Sequence, residues 1–177
     1  MSDDKLFKTD QDLIFGTVFS EDRRYRYVLE RCWNSSLPAV AFIGLNPSIA
    51  DEECDDMTIR KCVGFAKRWN YGRLFMVNLF AFISTNPDGL SKAYDDLIDE
   101  ETLRLFGHAF GAKNEYWLRK IQERASLVVA AWGDCGLHTA TIRELCLDVN
   151  LACLGKTKNG SPRHPSRIAY ATELEAL

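Results

Sequence analysis

A chain of 177 residues, 46% hydrophobic and 27% charged with a net charge of −3, has the composition of an ordinary globular domain. It is long enough for a core without disulfide or metal staples, and no apolar run approaches the roughly 20 residues of a membrane span. The charge does not advertise a polyanionic partner, and Met1 to Lys5 lacks the basic start and apolar stretch of a signal peptide. One cytoplasmic domain over residues 1–177 is expected, with 1–12 frayed.

In chain order, Ile14–Ser20 and Arg24–Arg31 are rich in aromatic and β-branched residues and flank the turn composition Ser20-Glu21-Asp22-Arg23. They predict an antiparallel hairpin at the sheet margin. Ala39–Gly44, Leu74–Leu79, Leu127–Trp132 and Leu151–Leu154 read as buried strands. Between them, Thr58–Trp69 places Ile59, Cys62, Val63, Ala66 and Trp69 on one helical stripe, with Asp55, Asp56 or Thr58 as cap. Glu101–Arg124 predicts a long helix broken near Gly107–Gly111, and Leu137–Leu147 predicts another. Alternating strand and helix is the pattern of parallel α/β layering.

Polar punctuation follows each core strand. Phe42-Ile43-Gly44-Leu45-Asn46-Pro47-Ser48 passes from strand to a stiff loop, since glycine admits close backbone approach and proline fixes the turn. Asn78 ends the second strand, Trp132-Gly133-Asp134 closes the third, and Arg163-His164-Pro165-Ser166 follows the fourth. In a parallel sheet all four exits share one rim, where ligands bind. Lys156 to Arg167 carries Lys156, Lys158, Arg163 and Arg167 and no acid, a composition suited to phosphate. The six cysteines form no C-x-x-C pair, so they read as buried free thiols rather than zinc ligands.

At these residues the chain resembles a bacterial and phage family catalogued as domain of unknown function 1643. The resemblance rests on Asp22-Arg23-Arg24-Tyr25-Arg26-Tyr27, Leu45-Asn46-Pro47-Ser48-Ile49-Ala50-Asp51, Asp55-Asp56-Met57-Thr58-Ile59-Arg60, Val77-Asn78-Leu79-Phe80-Ala81, Ala130-Ala131-Trp132-Gly133, and Gly155-Lys156-Thr157-Lys158 with Pro162-Arg163-His164-Pro165. More distantly, Gly44-Leu45-Asn46-Pro47, Asn78, Trp132-Gly133 and His164-Pro165-Ser166 resemble, in order, the motifs of the uracil-DNA glycosylase superfamily. That resemblance implies a three-layer α/β/α domain: a mainly parallel four-stranded core sheet of order 2-1-3-4, plus the N-terminal hairpin.

It also implies recognition of a nucleobase in DNA or a nucleotide and hydrolysis of its N-glycosidic bond. Asn46 would position water, and His164 would donate to the anion developing on the base. Asn78 would read the base edge, and Phe80, Phe82 or Trp132 would stack on it. Gly44, Pro47 and Gly133 shape that pocket. Ser48 and Ser166 would hold phosphates that Lys156, Arg163 and Arg167 neutralise. Ile168 occupies the place of an apolar wedge.

Each assignment has a plainer counterpart. Asn46 can end a turn, Asn78 can cap backbone, His164 can be a surface histidine, and Trp132 can be core. His108 and His138 lie in no motif. Ser48 stands where active glycosylases carry an aromatic residue, and an amide at 46 is a poor base. Asp51 is then a candidate base, and Asp51, Asp55 and Asp56 a less expected magnesium site. No organic cofactor or metal is implied. The competing readings are a non-catalytic nucleotide or nucleic-acid binding module, and a protein-interaction component of a phage or defence system.

Overall fold

The structure is a computed structural model that describes residues 16–51, 53–84, 111, 113–134 and 150–177. Among the described residues it is a mixed α/β fold around a seven-stranded sheet. The strands are β1 (Val18–Phe19), β2 (Arg26–Cys32), β3 (Ala39–Gly44), β4 (Arg73–Asn78), β5 (Leu127–Ala130), β6 (Ala152–Cys153) and β7 (Glu175–Ala176). Helix α1 (Met57–Arg68) follows β3, helix α2 (Asn114–Arg124) precedes β5, and a short 3-10 turn spans Pro165–Arg167. None of these helices is long and apolar enough to cross a membrane.

The order across the sheet is β1-β2-β4-β3-β5-β6-β7. Strands β4, β3, β5 and β6 run parallel to one another, while β1, β2 and β7 are antiparallel additions. Strand count and overall order therefore differ from the expected four-stranded sheet with a marginal hairpin. The hairpin does not stand apart: β2 hydrogen-bonds β4 from Leu29↔Met76 to Cys32↔Arg73. That pairing satisfies the edge of β4, which would otherwise present open backbone groups. At the far edge, Glu175–Ala176 pairs β6. This two-residue segment carries no strand pattern of its own and is fixed by Leu177 N–H donating to Leu151 O at 2.9 Å.

Strand β3 is buried throughout, and successive side chains enter opposite cores. Ala39, Ala41 and Ile43 join Val77, Ala130 and the α2 residues Trp117, Leu118 and Ile121. Val40 and Phe42 join Leu74, Val129 and the α1 residues Ile59, Cys62, Phe65 and Ala66. A helix thus covers each face. Burying a side chain such as Phe42 contributes roughly 1.5–3 kcal/mol.

Helix α1 begins one residue before the expected Thr58 and buries Phe65, which the predicted stripe omitted; Val63 and Trp69 pack at its margin. It ends where Asn70 turns left-handed at φ 61°, the common asparagine solution to a helix C-terminus. Strand β5 stops at Ala130, two residues short of Trp132, and β6 is confined to Ala152–Cys153. The long-helix expectation survives as Asn114–Arg124 among the described residues. The break at 107–111 (apart from Gly111), the helix expected over 137–147, and His108, His138, Cys135 and Cys146 lie outside them. Among the described cysteines Cys62 and Cys153 are buried, but Cys54 is exposed and Cys32 half-buried, contrary to a uniform buried set.

Candidate functional site

Because β4, β3 and β5 end side by side, the segments that leave them share one rim. Leu79 N–H donates to Gly44 O and Phe80 N–H to Leu45 O, both at 2.9 Å, and Ser84 N–H to Pro47 O at 3.0 Å. The loop after β3 is thereby laced to the segment after β4. On this rim lies a cleft of about 450 Å³ lined by Gly44, Asn46, Ser48, Asn78, Trp132, Gly133 and His164. Arg26, Asp56 and Thr58 join the wall from β2 and the start of α1, and Asp134 from the segment after β5. Residues more than a hundred positions apart in the chain, Asn46 and His164, border the same space.

Asn78 is 2% exposed, and its Oδ1 is buried with no hydrogen-bond partner. Its position depends on two neighbours. A Cβ at Gly44 would lie 2.6 Å from Met76 Cε and 2.7 Å from Asn78 Nδ2, so only glycine leaves room for the carboxamide. From α2, the buried Asn114 donates through Nδ2 to the carbonyls of Asn78 at 3.1 Å and Leu79 at 2.9 Å. A buried carboxamide oxygen without a partner carries a desolvation cost. Trp132 is also buried in the wall, with its indole N–H unpartnered.

Asn46 serves the loop first. Its Nδ2 donates to Ser84 O at 2.8 Å and Pro47 O at 3.1 Å, which fixes the amide orientation. His164 begins the 3-10 turn, and its Nδ1 accepts from the Ser166 N–H, with Ser166 Oγ 2.9 Å away. A neutral imidazole with Nδ1 as acceptor carries its proton on Nε2. The residue keeps an exposed edge, yet the protein around the ring pushes its pKa below the usual histidine value; Asp56 acts in the opposite direction. Gly133, at φ +79°, would bring a Cβ to 3.4 Å from His164 Cβ, so the third motif abuts the fourth. Asp134 accepts from Asn159 Nδ2 at 2.8 Å and holds the 156–162 turn beside them.

Other expected residues lie elsewhere. Asp51 does not line the cleft; its Oδ1 accepts from the N–H groups of Glu53 at 2.9 Å and Cys54 at 2.8 Å. Those bonds, Glu53's second after Cys54's, hold its pKa below the carboxylate norm. A base role for Asp51 therefore has no support from its placement. Phe80, 1% exposed, belongs to the core under α2 rather than to the cleft, and Phe82 packs edge-on to Tyr25. Pro47 is buried behind the loop, and Ser166 acts on His164. Lys156, Arg163 and Arg167 are exposed and outside the cleft. Ile168 is not a wedge: it is 3% exposed and packed in the core against α1. Asp55 pairs with Arg31 at 2.8 Å, and no described residues group into a metal-binding cluster.

Two charged cleft residues have no part in the expected base site: the sequence presents Asp56 only as a helix cap or a magnesium ligand, and Arg26 only as part of a family motif. Asp56 caps α1, accepting from Ile59 N–H at 2.8 Å, and Arg26 is 3% exposed on β2. Burial lowers the Arg26 pKa to about 10, against the pull of Asp56 and Asp51, which leaves a cation at neutral pH. A capping aspartate and an arginine at a strand start read as ordinary surface positions. The only sequence signal was their membership of recurrent motifs.

The cleft therefore brings a buried carboxamide and an imidazole together in a polar cavity at the strand ends of an α/β sheet. The family described as Protein of unknown function (DUF1643) matches residues 26–166, and the chain belongs to it. No curated protein and no solved structure matches the chain.

Proposed function

We propose that this protein binds a nucleobase in the cleft and hydrolyses its N-glycosidic bond, as its likeness to the glycosylase motifs implies. The observation that carries the reading is Asn78: a buried carboxamide whose acceptor is unsatisfied, set in the wall of a ligand-sized cleft. A base edge that donates one hydrogen bond and accepts another matches such an amide. His164 adds the second feature. Its Nε2–H is the donor suited to a base oxygen that becomes anionic as the C–N bond breaks. The attacking water forms the new C–O bond and must lose a proton. Of the two carboxylates lining the cleft, Asp134 has both oxygens engaged by Asn159 and Ser161, whereas the helix cap engages only Oδ1 of Asp56, so Asp56 is the one placed to take it.

A second reading, binding without cleavage, is favoured by one specific observation. The amide at 46 is committed to two loop carbonyls and is no base. The test is a panel of oligonucleotides and deoxynucleotides carrying uracil, mismatched and altered bases, scored for free base and abasic sites. Release of base that is lost in Asn78→Ala and His164→Ala supports hydrolysis. Binding with no release across the panel selects the second reading, and absence of both rejects base recognition.

A further inference from the structure

We propose that Arg26 forms an interior phosphate subsite of the cleft, taking a phosphate group of the same nucleotide whose base occupies the Asn78 side. The choice of a nucleotide phosphate rests on the base-recognition reading; the anion site itself does not. Arg26 is 3% exposed and lines the cleft. Its Nη1 donates to Ala50 O at 2.5 Å, and its Nε is buried with no partner. Arg31 and Arg73, by contrast, face Asp55 and Glu30 at 2.8 and 3.1 Å. Among the described residues no carboxylate pairs with Arg26.

A buried charge without a counter-ion is costly, and a planar guanidinium in the cleft wall with a donor unspent is chemically suited to an oxyanion. The carboxylates that act on it from a distance have hydrogen bonds of their own: Asp51 to Glu53 and Cys54, Asp56 to Ile59. The first turn of α1 reaches the same space through Asp56, Thr58 and Ile59, but the Asp56 cap already takes the Ile59 N–H, which leaves the guanidinium as the anion-binding group. Among the described cleft residues Arg26 is the only arginine or lysine, and the carboxylates of Asp56 and Asp134 that share the lining accept from Ile59, Asn159 and Ser161. The exposed Lys156, Arg163 and Arg167 lie outside and suit a longer backbone, not a group inside the cleft.

The test titrates the intact protein, and its Arg26→Met and Arg26→Lys variants, with the common deoxynucleosides and deoxyuridine, their 5′-monophosphates, inorganic pyrophosphate and a short single-stranded oligonucleotide. Thermal melts accompany each titration. The expected result is that a monophosphate binds about tenfold or more tightly than its nucleoside. That gap vanishes in Arg26→Met and shrinks in Arg26→Lys, while nucleoside affinity holds. If Arg26→Met does not fold, Arg26→Lys decides: selective weakening of the monophosphate supports the subsite, and equal weakening of both ligands overturns it. Equal affinity for nucleoside and monophosphate in the natural protein overturns the subsite and leaves base recognition standing, as does a gap that persists in a folded Arg26→Met. Pyrophosphate binding that depends on Arg26, with neither nucleoside nor monophosphate bound, keeps the anion site and rejects the base reading. No binding of any probe rejects both. An Arg26-dependent gain seen for the oligonucleotide alone identifies a phosphodiester as the source.

Discussion

At the scale of single residues, the informative positions are polar groups that the fold buries at a cost. Glu30 is one away from the cleft. Burial raises its pKa to about 7, although Arg73 pulls it down, because the Arg73 Nε–H is close but not aimed at the carboxylate. The fold therefore holds a proton that the unfolded chain, near 4.5, gives up. Stability from this group is full below 4.5 and lost as pH rises to 7, a change on the order of 3 kcal/mol. Glu30→Gln should flatten that part of a pH series of thermal melts; an unchanged slope assigns it to other groups. Asp56 separates structure from chemistry. Asp56→Ala should cost about 1 kcal/mol through the lost cap, and Asp56→Asn should keep the cap. If Asp56 accepts the proton of the attacking water, base release disappears in both variants, and turnover in Asp56→Asn removes it from the mechanism. Gly44→Ala should destabilise by about 1–3 kcal/mol in denaturant unfolding, and weaken base binding by displacing Asn78.

At the scale of elements, the long periodic or continuously apolar segments were legible and the short ones were not. Strand β3 announces itself by an unbroken apolar run, and α1 by its stripe and capping aspartate. Strand β7 is two exposed residues held by partners from β6, and tertiary pairing of that kind leaves no local pattern. Ile168 shows the same limit in the site. Its place after the His164 motif suggested an exposed wedge, but the turn at Pro165–Arg167 directs it into the α1 core. Ile168→Ala should accordingly cost about 2–5 kcal/mol in chemical denaturation; a near-neutral effect would return it to the surface. Asn114 was invisible for another reason. It sits on a different helix, and only the fold brings its amide to the carbonyls that end β4.

For the whole molecule, parallel strands explain why distant motifs meet. Each exit was readable as polar punctuation after an apolar run, and the sheet places Asn46, Asn78, Trp132 and His164 around one cleft. What the pattern could not convey is direction: which side chains turn inward, and which are spent on holding loops. Asn46 and Ser166 are largely spent on neighbours, whereas Asn78 and Arg26 keep open groups. The basic stretch after β6 remained on the surface because a tight turn docks on Asp134, leaving the interior cation to β2. Chemical-shift mapping with nucleosides and nucleotides tests the central claim most directly, because the Asn78 amide, the Trp132 indole N–H and the His164 ring give separate signals. The account predicts that a bound base shifts all of these together, with the Asn78 amide moving most. Shifts confined to other surfaces, or a bound base that leaves Asn78 unmoved, would contradict it.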